Sequence, residues 1–462
     1  MKYISTRGQA PELTFEEAML TGLARDGGLY LPAEIPVMLQ DEIAALAGLP
    51  YEEIAFRVMW PYVSGSFGED EFKEIIARAY QVFGHDARAP LKQLNENHFL
   101  LELFHGPTLA FKDFAMQLIG QLFQVALKRR GDRVTIVGAT SGDTGSAAIE
   151  AFRGLDAVDV FILYPHGRVS EVQRRQMTTP ADSNVHALAV DGDFDDCQAA
   201  LKDMFNDFDF RDEVKLAGVN SINFARVLAQ IVYYFSAAVS LGAPHRKVSF
   251  TVPTGNFGDI FAGYLAKRMG LPIDRLVVAT NQNDILHRCL SGEGYFKGDT
   301  IPSISPSMDI QVSSNFERAL YYAYGEDGSA VAQLMDELKT GGFNVSQGAM
   351  QALRESFDSG RVSEDETLAT IKHTLANSAE LVCPHTAVGI KVAEEQRRAD
   401  VPMITLATAH PAKFPAAVEE ASGVHPPLPS RMSDLYERPE RVTRIANDLG
   451  TLEDHIRRHI AE

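Results

Sequence analysis

The sequence predicts an α/β protein in which two parallel sheets face a cleft, preceded by a separate N-terminal part. Three observations carry that reading. Short β-branched runs at residues 134–137, 158–163, 185–190, 248–252, 276–280 and 403–407 alternate with helical patterns, and such alternation means parallel strands joined by helical crossovers. Two of these strands feed a helix through a glycine-containing turn, at residues 140–145 and 255–259, so both turns fall at carboxyl ends of strands, where ligands enter sheets of this kind. At 462 residues the chain exceeds one ordinary core and divides into two or three domains. The expected parts are an N-terminal segment, 1–95, a smaller α/β domain, 96–240, a larger one, 241–425, and a C-terminal tail with a helix, 426–462.

Within the first part, Phe15-Glu16-Glu17-Ala18-Met19-Leu20 has helical spacing and Gly27-Gly28 marks a turn. Residues 98–104 read as a strand that Gly106-Pro107 ends. A helix then starts near Asp113. Phe114, Leu118 and Leu122 form one apolar row and Ala115, Ile119, Phe123 and Leu127 a second, together the stripe of a core-facing helix. Lys128, Arg129 and Arg130 suit the negative end of its dipole, and Gly131 follows as a C-cap. Lys112 thus stands at the helix mouth among Ala110, Phe111 and Phe114. Free N–H groups and an apolar wall both disfavour an ammonium there and lower its pKa, which makes Lys112 a candidate Schiff-base nucleophile. A lysine reaching along its stem to water is the competing reading of the residue alone.

The strand at 134–137 runs into Thr140-Ser141-Gly142-Asp143-Thr144-Gly145 and a helix. Ser141 and Thr144 supply hydroxyls, and the helix start offers free N–H groups to a carboxylate or phosphate. An ordinary capped turn has the same sequence pattern. After the strand at 248–252, Thr254-Gly255-Asn256-Phe257-Gly258-Asp259 opens the next helix, and its two glycines allow successive N–H groups to converge on phosphate oxygens. No G-x-x-x-x-G-K-[ST] or G-x-G-x-x-G pattern occurs, which leaves a small phosphate held by neutral donors. A Schiff-base lysine with such a cup is what pyridoxal phosphate requires. Asn220-Ser221-Ile222-Asn223-Phe224-Ala225-Arg226 precedes an apolar helical stripe, so Asn220, Ser221 and Arg226 can gather an amide, a hydroxyl and a guanidinium at one helix start; a solvated helix charge is the other reading of Arg226. Residues 291–314, rich in Gly, Pro and Ser, form a loop or lid bordering the site.

The run His105 to Phe114, the loop Thr140 to Gly145, the loop Gly255 to Asp259 and the segment Thr408-Ala409-His410-Pro411-Ala412-Lys413-Phe414 resemble the threonine synthases, of the longer type that also occurs in yeast and enteric bacteria. Gly106-Pro107-Thr108 before Phe111-Lys112-Asp113, the Thr408 to Phe414 run, and Ser305-Pro306-Ser307-Met308-Asp309-Ile310 are motifs of that family rather than of pyridoxal-phosphate enzymes at large. The likeness reaches from Asp26-Gly27-Gly28-Leu29-Tyr30 to about Phe414. It implies a fold type II, tryptophan synthase β-like enzyme that carries pyridoxal phosphate on Lys112. The implied reaction converts O-phosphohomoserine and water to threonine and phosphate: the substrate displaces Lys112, the freed amine takes the α-proton, a second proton shift lets phosphate leave the γ-carbon, and water adds at the β-carbon. Lys112 then serves as acid and base throughout. By the same resemblance Gly255, Asn256, Phe257 and Gly258 hold the cofactor phosphate, Thr408 contacts the pyridine nitrogen, and Ser141, Thr144, Asn220, Ser221 and Arg226 bind substrate. Asp143 stands where shorter members carry an Asn that faces the cofactor's 3′-oxygen; a carboxylate there is protonated, turned away, or replaced in that role by a neighbour. His105 and His410 receive no role beyond burial with one hydrogen bond. Another fold type II lyase acting on a phosphorylated or hydroxy amino acid, and a silent pyridoxal-phosphate binder, are the alternatives.

Composition sets limits. Lys and Arg total 43 against 62 Asp and Glu, a net charge of −19, which argues against nucleic acid or an anionic membrane as partner. No apolar run approaches a membrane span and the first residues lack the apolar core of a signal peptide, so a cytoplasmic protein is expected. Cys197, Cys289 and Cys383 are odd in number and far apart, which gives three free thiols and no zinc motif. His455 and His459 have a metal-compatible spacing, yet Arg457 and Arg458 intervene and a solvated helix face is expected.

Overall fold

Strands that are apolar on both faces fix the architecture, because such strands need cover on either side. The computed structural model describes residues 1–140 and 142–460. A six-stranded sheet runs in the order Phe357–Arg361, Ile273–Thr280, Val248–Pro253, Met403–Ala407, His98–Glu102, Leu91–Asn95; all neighbours are parallel except the last pair. A second sheet, parallel throughout, runs Thr443–Ala446, Val185–Asp191, Val158–Pro165, Val134–Ala139, Leu216–Ala217. The helix Phe224–Ser240, buried except at Ser236 and Ser240, packs on the Lys112–Arg130 helix, on Gly258–Arg268 and on Tyr51–Val63, joining both α/β units and the N-terminal helices in one core.

Two expected boundaries move. Residues 98–102 fall in the segment assigned to the smaller domain, yet they pair in register with Met403–Ala407 of the larger sheet. The C-terminal tail is not an appendage: Thr443–Ala446 forms the edge of the smaller sheet, and Leu452 and Ile456 enter its core beside Phe161 and Leu163. The solvated histidine face holds for His459, which is exposed, and is corrected for His455. His455 is half-buried, stacks on His459 with centroids 4.1 Å apart and lies edge-on to Phe161. Among the described residues no group of His, Cys, Asp and Glu has the geometry of a metal site.

The Lys112 helix starts at Lys112, ends at Arg130 and is capped by Gly131 in the left-handed region (φ 65°). Gly120 lets it approach the Asp143–Phe152 helix closely, since a Cβ there would stand 2.3 Å from the Ala151 carbonyl oxygen. That contact sets the distance between the two helix mouths. All three cysteines are free and buried.

Candidate active site

The turn before Lys112 is fixed from two sides. Asp113 accepts from the Thr108 amide at 2.8 Å and the Thr108 hydroxyl at 2.6 Å. Meanwhile Phe111 N–H donates to the Thr408 carbonyl at 2.8 Å, and His410 N–H to the Leu109 carbonyl at 3.0 Å. Leu109 takes a left-handed conformation (φ 64°) in making this turn, a strain borne by non-glycine residues mainly at functional sites. Thr408, at the end of Met403–Ala407, is thereby brought beside Lys112. The Lys112 side chain is 11% exposed; burial lowers its pKa to about 8, Arg226 and Lys413 act in the same direction, and Asp143 and Asp113 oppose them.

Asp143 is the first residue of its helix. One carboxylate oxygen accepts from Gln173 Nε2 at 2.9 Å and from Lys413 Nζ at 3.0 Å; the other accepts from Ser307 Oγ at 3.2 Å and lies 3.9 Å from Lys112 Nζ. Burial opposes its ionisation, but Lys413, Lys112 and the Gln173 amide together hold it well below the usual carboxylate range. The side chain is thus not turned away from Lys112, and the protein groups around it favour the ionised carboxylate. Thr140 Oγ1 shapes the same loop by accepting from the Gly142 and Gly145 amides, each at 2.9 Å. Thr144 follows, half-buried, in the first turn. Ser141 lies outside the described residues.

Phe257 precedes the helix Gly258–Arg268 in a left-handed conformation (φ 63°), with its ring packed against Phe316 and Phe357. A Cβ on Gly255 would stand 2.6 Å from the Ser307 carbonyl oxygen. The loop is braced from outside: Ser313 Oγ donates to the Gly255 carbonyl at 2.5 Å and Asn315 N–H to the Asn256 carbonyl at 3.0 Å. Asn315 Nδ2 also donates to the Ser221 carbonyl at 3.0 Å, which sets Ser221 next to the glycine loop. The segment expected to border the site does so through Ser307, which bonds both Asp143 and, through its amide, His385 Nε2 at 3.2 Å.

Arg226 is 4% exposed; among the described residues its Nε has no partner, and its guanidinium makes one hydrogen bond, from Nη1 to the Val219 carbonyl at 3.5 Å. Among the described residues no carboxylate pairs with it. Burial lowers its pKa to about 10. Asn220 is exposed, and the cap of the Phe224–Ser240 helix is Asn223, which accepts from the Ala225 amide at 3.1 Å; the expected gathering of Asn220 with Arg226 is not made in side-chain contacts. His105 pairs with Glu102 at 2.7 Å, and His410 Nδ1 accepts from the Ala412 amide at 3.2 Å.

Sequence reasoning missed Lys413, Gln173, His385 and Asn315. Only Lys413 carried a signal, a lysine inside the otherwise apolar Pro411-Ala412-Lys413-Phe414. The residues fit a pyridoxal phosphate: a buried amine of lowered pKa at Lys112, and a glycine-containing turn that opens the Gly258–Arg268 helix and leaves its first amides free for a phosphate.

Comparison with known proteins agrees. The family described as pyridoxal-phosphate dependent enzyme matches residues 84–333, that described as threonine synthase N terminus matches 2–80, and that described as threonine synthase, C-terminal, matches 386–456. The chain is 57% identical to a threonine synthase of Pseudomonas aeruginosa, over 99% of this chain and 98% of that one. Among solved structures, a pyridoxal-phosphate-bound threonine synthase from Brucella melitensis superposes with a TM-score of 0.97 at 56% identity, over 99% of each chain. Threonine synthase from yeast follows at 0.94 and 41%, over 99% of this chain and 98% of that one. With site, fold and relatives in agreement over the whole length, the chain belongs to the threonine synthases, pyridoxal-phosphate-dependent lyases of fold type II.

Proposed function

We propose that the substrate is O-phosphohomoserine, that the products are threonine and inorganic phosphate, and that the enzyme works in the cytoplasm. The observation that carries the substrate is Arg226, a buried cation beside the Ser221 loop with no carboxylate of its own among the described residues. Holding a guanidinium unpaired in the interior is costly, and a dianionic phosphate removes that cost while the guanidinium supplies directional donors. A protein of net charge −19 needs such a local cation to hold a dianion at all.

Pyridoxal phosphate supplies an electron sink for the carbanion formed at the substrate. The chain supplies the rest. Lys112 holds the cofactor and, once displaced by substrate, carries protons to and from carbon, which suits an amine whose pKa of about 8 lies near the operating pH. Gly255, Asn256, Phe257 and Gly258 would hold the cofactor phosphate with main-chain donors, Thr408 would meet the pyridine nitrogen, and Asp143 would stand near the cofactor's attachment at Lys112. Thr144 and the start of the Asp143–Phe152 helix offer a hydroxyl and free amides to the substrate carboxylate, with Ser141 assigned to the same group from its place in the sequence, while Ser221 and Arg226 receive the phosphate.

The test is a product assay on O-phosphohomoserine. Equal release of threonine and phosphate is expected; phosphate released with a keto acid in place of threonine would make the enzyme a phospho-lyase instead.

A further inference from the structure

The Lys413 side chain is 0% exposed. An ammonium at that depth is costly unless its donors and its charge are both answered. Its donors are taken by the Thr108 carbonyl at 2.7 Å, Gln176 Oε1 at 3.0 Å and Asp143 Oδ1 at 3.0 Å. Thr108 is the residue that Asp113 pins through amide and hydroxyl, so Lys413 is registered against the turn that presents Lys112. From there it reaches across to the helix start of the other sheet and seizes one oxygen of Asp143. The second oxygen faces Lys112 Nζ at 3.9 Å and is steadied by Ser307 Oγ at 3.2 Å.

Had the pair served only to fasten two units together, a neutral amide pair would do so with less desolvation, and nothing would require the second oxygen to face the reactive amine. We propose that Lys413 is a positioning residue acting through Asp143: it occupies one carboxylate oxygen and so keeps the other as a fixed anionic acceptor facing the nitrogen of Lys112. The inference rests on cofactor attachment at Lys112 and not on the identity of the substrate. The groups acting on Lys112 are Asp143 and Asp113, which favour a proton there, and Arg226 and Lys413, which oppose it. Those acting on Asp143 are Lys413, Lys112, Gln173 and His385, and burial holds His385 neutral with a pKa of about 4. The nearest anion to Lys112 therefore keeps its charge across neutral pH, and the proton at that nitrogen follows a single transition.

The test is an absorbance titration of the holoenzyme, whose cofactor band reports the proton at the Lys112 nitrogen. Asp143→Asn keeps shape and removes the facing charge, so the pKa of the band falls by about one pH unit or more, as when an opposite charge within about 4–6 Å is lost. Lys413→Met leaves the carboxylate with the Lys112 nitrogen as its remaining cation, so the band pKa rises, and the double variant falls between the two. Where Lys413→Met does not fold, Lys413→Gln is read in its place. Variants that bind cofactor with an unmoved band pKa, or a shift in Asp143→Asn with none at either Lys413 variant, overturn the proposal. A purified wild type with no cofactor band would overturn the cofactor reading itself and is distinguishable from both.

Discussion

Burial does to Lys112 what a free lysine in water cannot do for itself. A pKa of about 8 in place of 10.5 raises the share of free amine at neutral pH by roughly 300-fold, since each pH unit is a factor of ten. Replacing Lys112 by Ala removes the amine: cofactor is no longer fixed to the chain by borohydride, and turnover is lost. Retention of borohydride-fixed cofactor at the wild-type stoichiometry would assign the attachment to another lysine. Arg226 has a different environment and a different expected phenotype. Arg226→Lys keeps the charge but not the fork, and loss of a charged hydrogen bond costs roughly 1.5–3 kcal/mol, or about one to two decades in kcat/KM on O-phosphohomoserine. The cofactor band stays as in wild type, because Arg226 is assigned to substrate; an unchanged kcat/KM would remove it from the site. Lys112 and Arg226 were legible in the sequence because each sits next to its own helix start. Lys413 stood out only as a lysine in an apolar run; its role was not legible, because it depends on Asp143, which lies far from it along the chain.

At the scale of elements, both ligand loops are strand-to-helix turns, and each owes its shape to a neighbour rather than to itself. The Gly255 loop is braced by Ser307 and Ser313 from the 291–314 segment, which the sequence marked as a border of the site and as carrying the Ser305 to Ile310 motif but not as a partner of this loop, and by Asn315 just beyond it. Gly255→Val places a side chain where the Ser307 carbonyl already stands 2.6 Å away. Overpacking costs roughly 1–3 kcal/mol, so cofactor affinity in a titration of apoprotein should weaken by about tenfold or more, while the ratio of rates on alternative substrates holds. Unaltered affinity would put the phosphate elsewhere. Hydrophobic periodicity found seven of the eleven described strands of the two sheets to within about three residues and the start of the Lys112 helix to within one, since period and caps are local properties; Leu91–Asn95, Leu216–Ala217, Phe357–Arg361 and Thr443–Ala446 went unread. Sheet membership is not local. Residues 98–102 gave a clear strand signal, yet nothing nearby names Met403–Ala407 as the partner; and in Thr443–Ala446 only Ile445 is buried, too little alternation to announce an edge strand.

The whole molecule keeps several titratable groups in states they would not hold in water, and these set its response to acid. Burial pushes His98, His186, His385 and His410 each down to about 4, so between about pH 6.5 and 4 the unfolded chain binds protons there that the folded chain refuses. That contribution lowers stability as pH falls. Burial also raises Asp113 to about 6 and Asp259 to about 7; there the folded chain holds protons that the unfolded chain releases above about pH 4, and stability rises as pH falls. Smaller shifts run both ways, with His287 and His455 lowered and Glu150 and Asp309 raised, and they oppose each other. Four large histidine shifts against two large carboxylate shifts leave about two protons in favour of the unfolded chain near the middle of that window. At about 1.4 kcal/mol per proton per pH unit, reduced because His186 and His410 are only half-buried, stability should fall by on the order of 2 kcal/mol for each pH unit of acidification. The urea midpoint of the holoenzyme, followed downward from neutral pH, should therefore decline at constant m-value. A midpoint that rises on acidification would show that Asp113 and Asp259 outweigh the histidines.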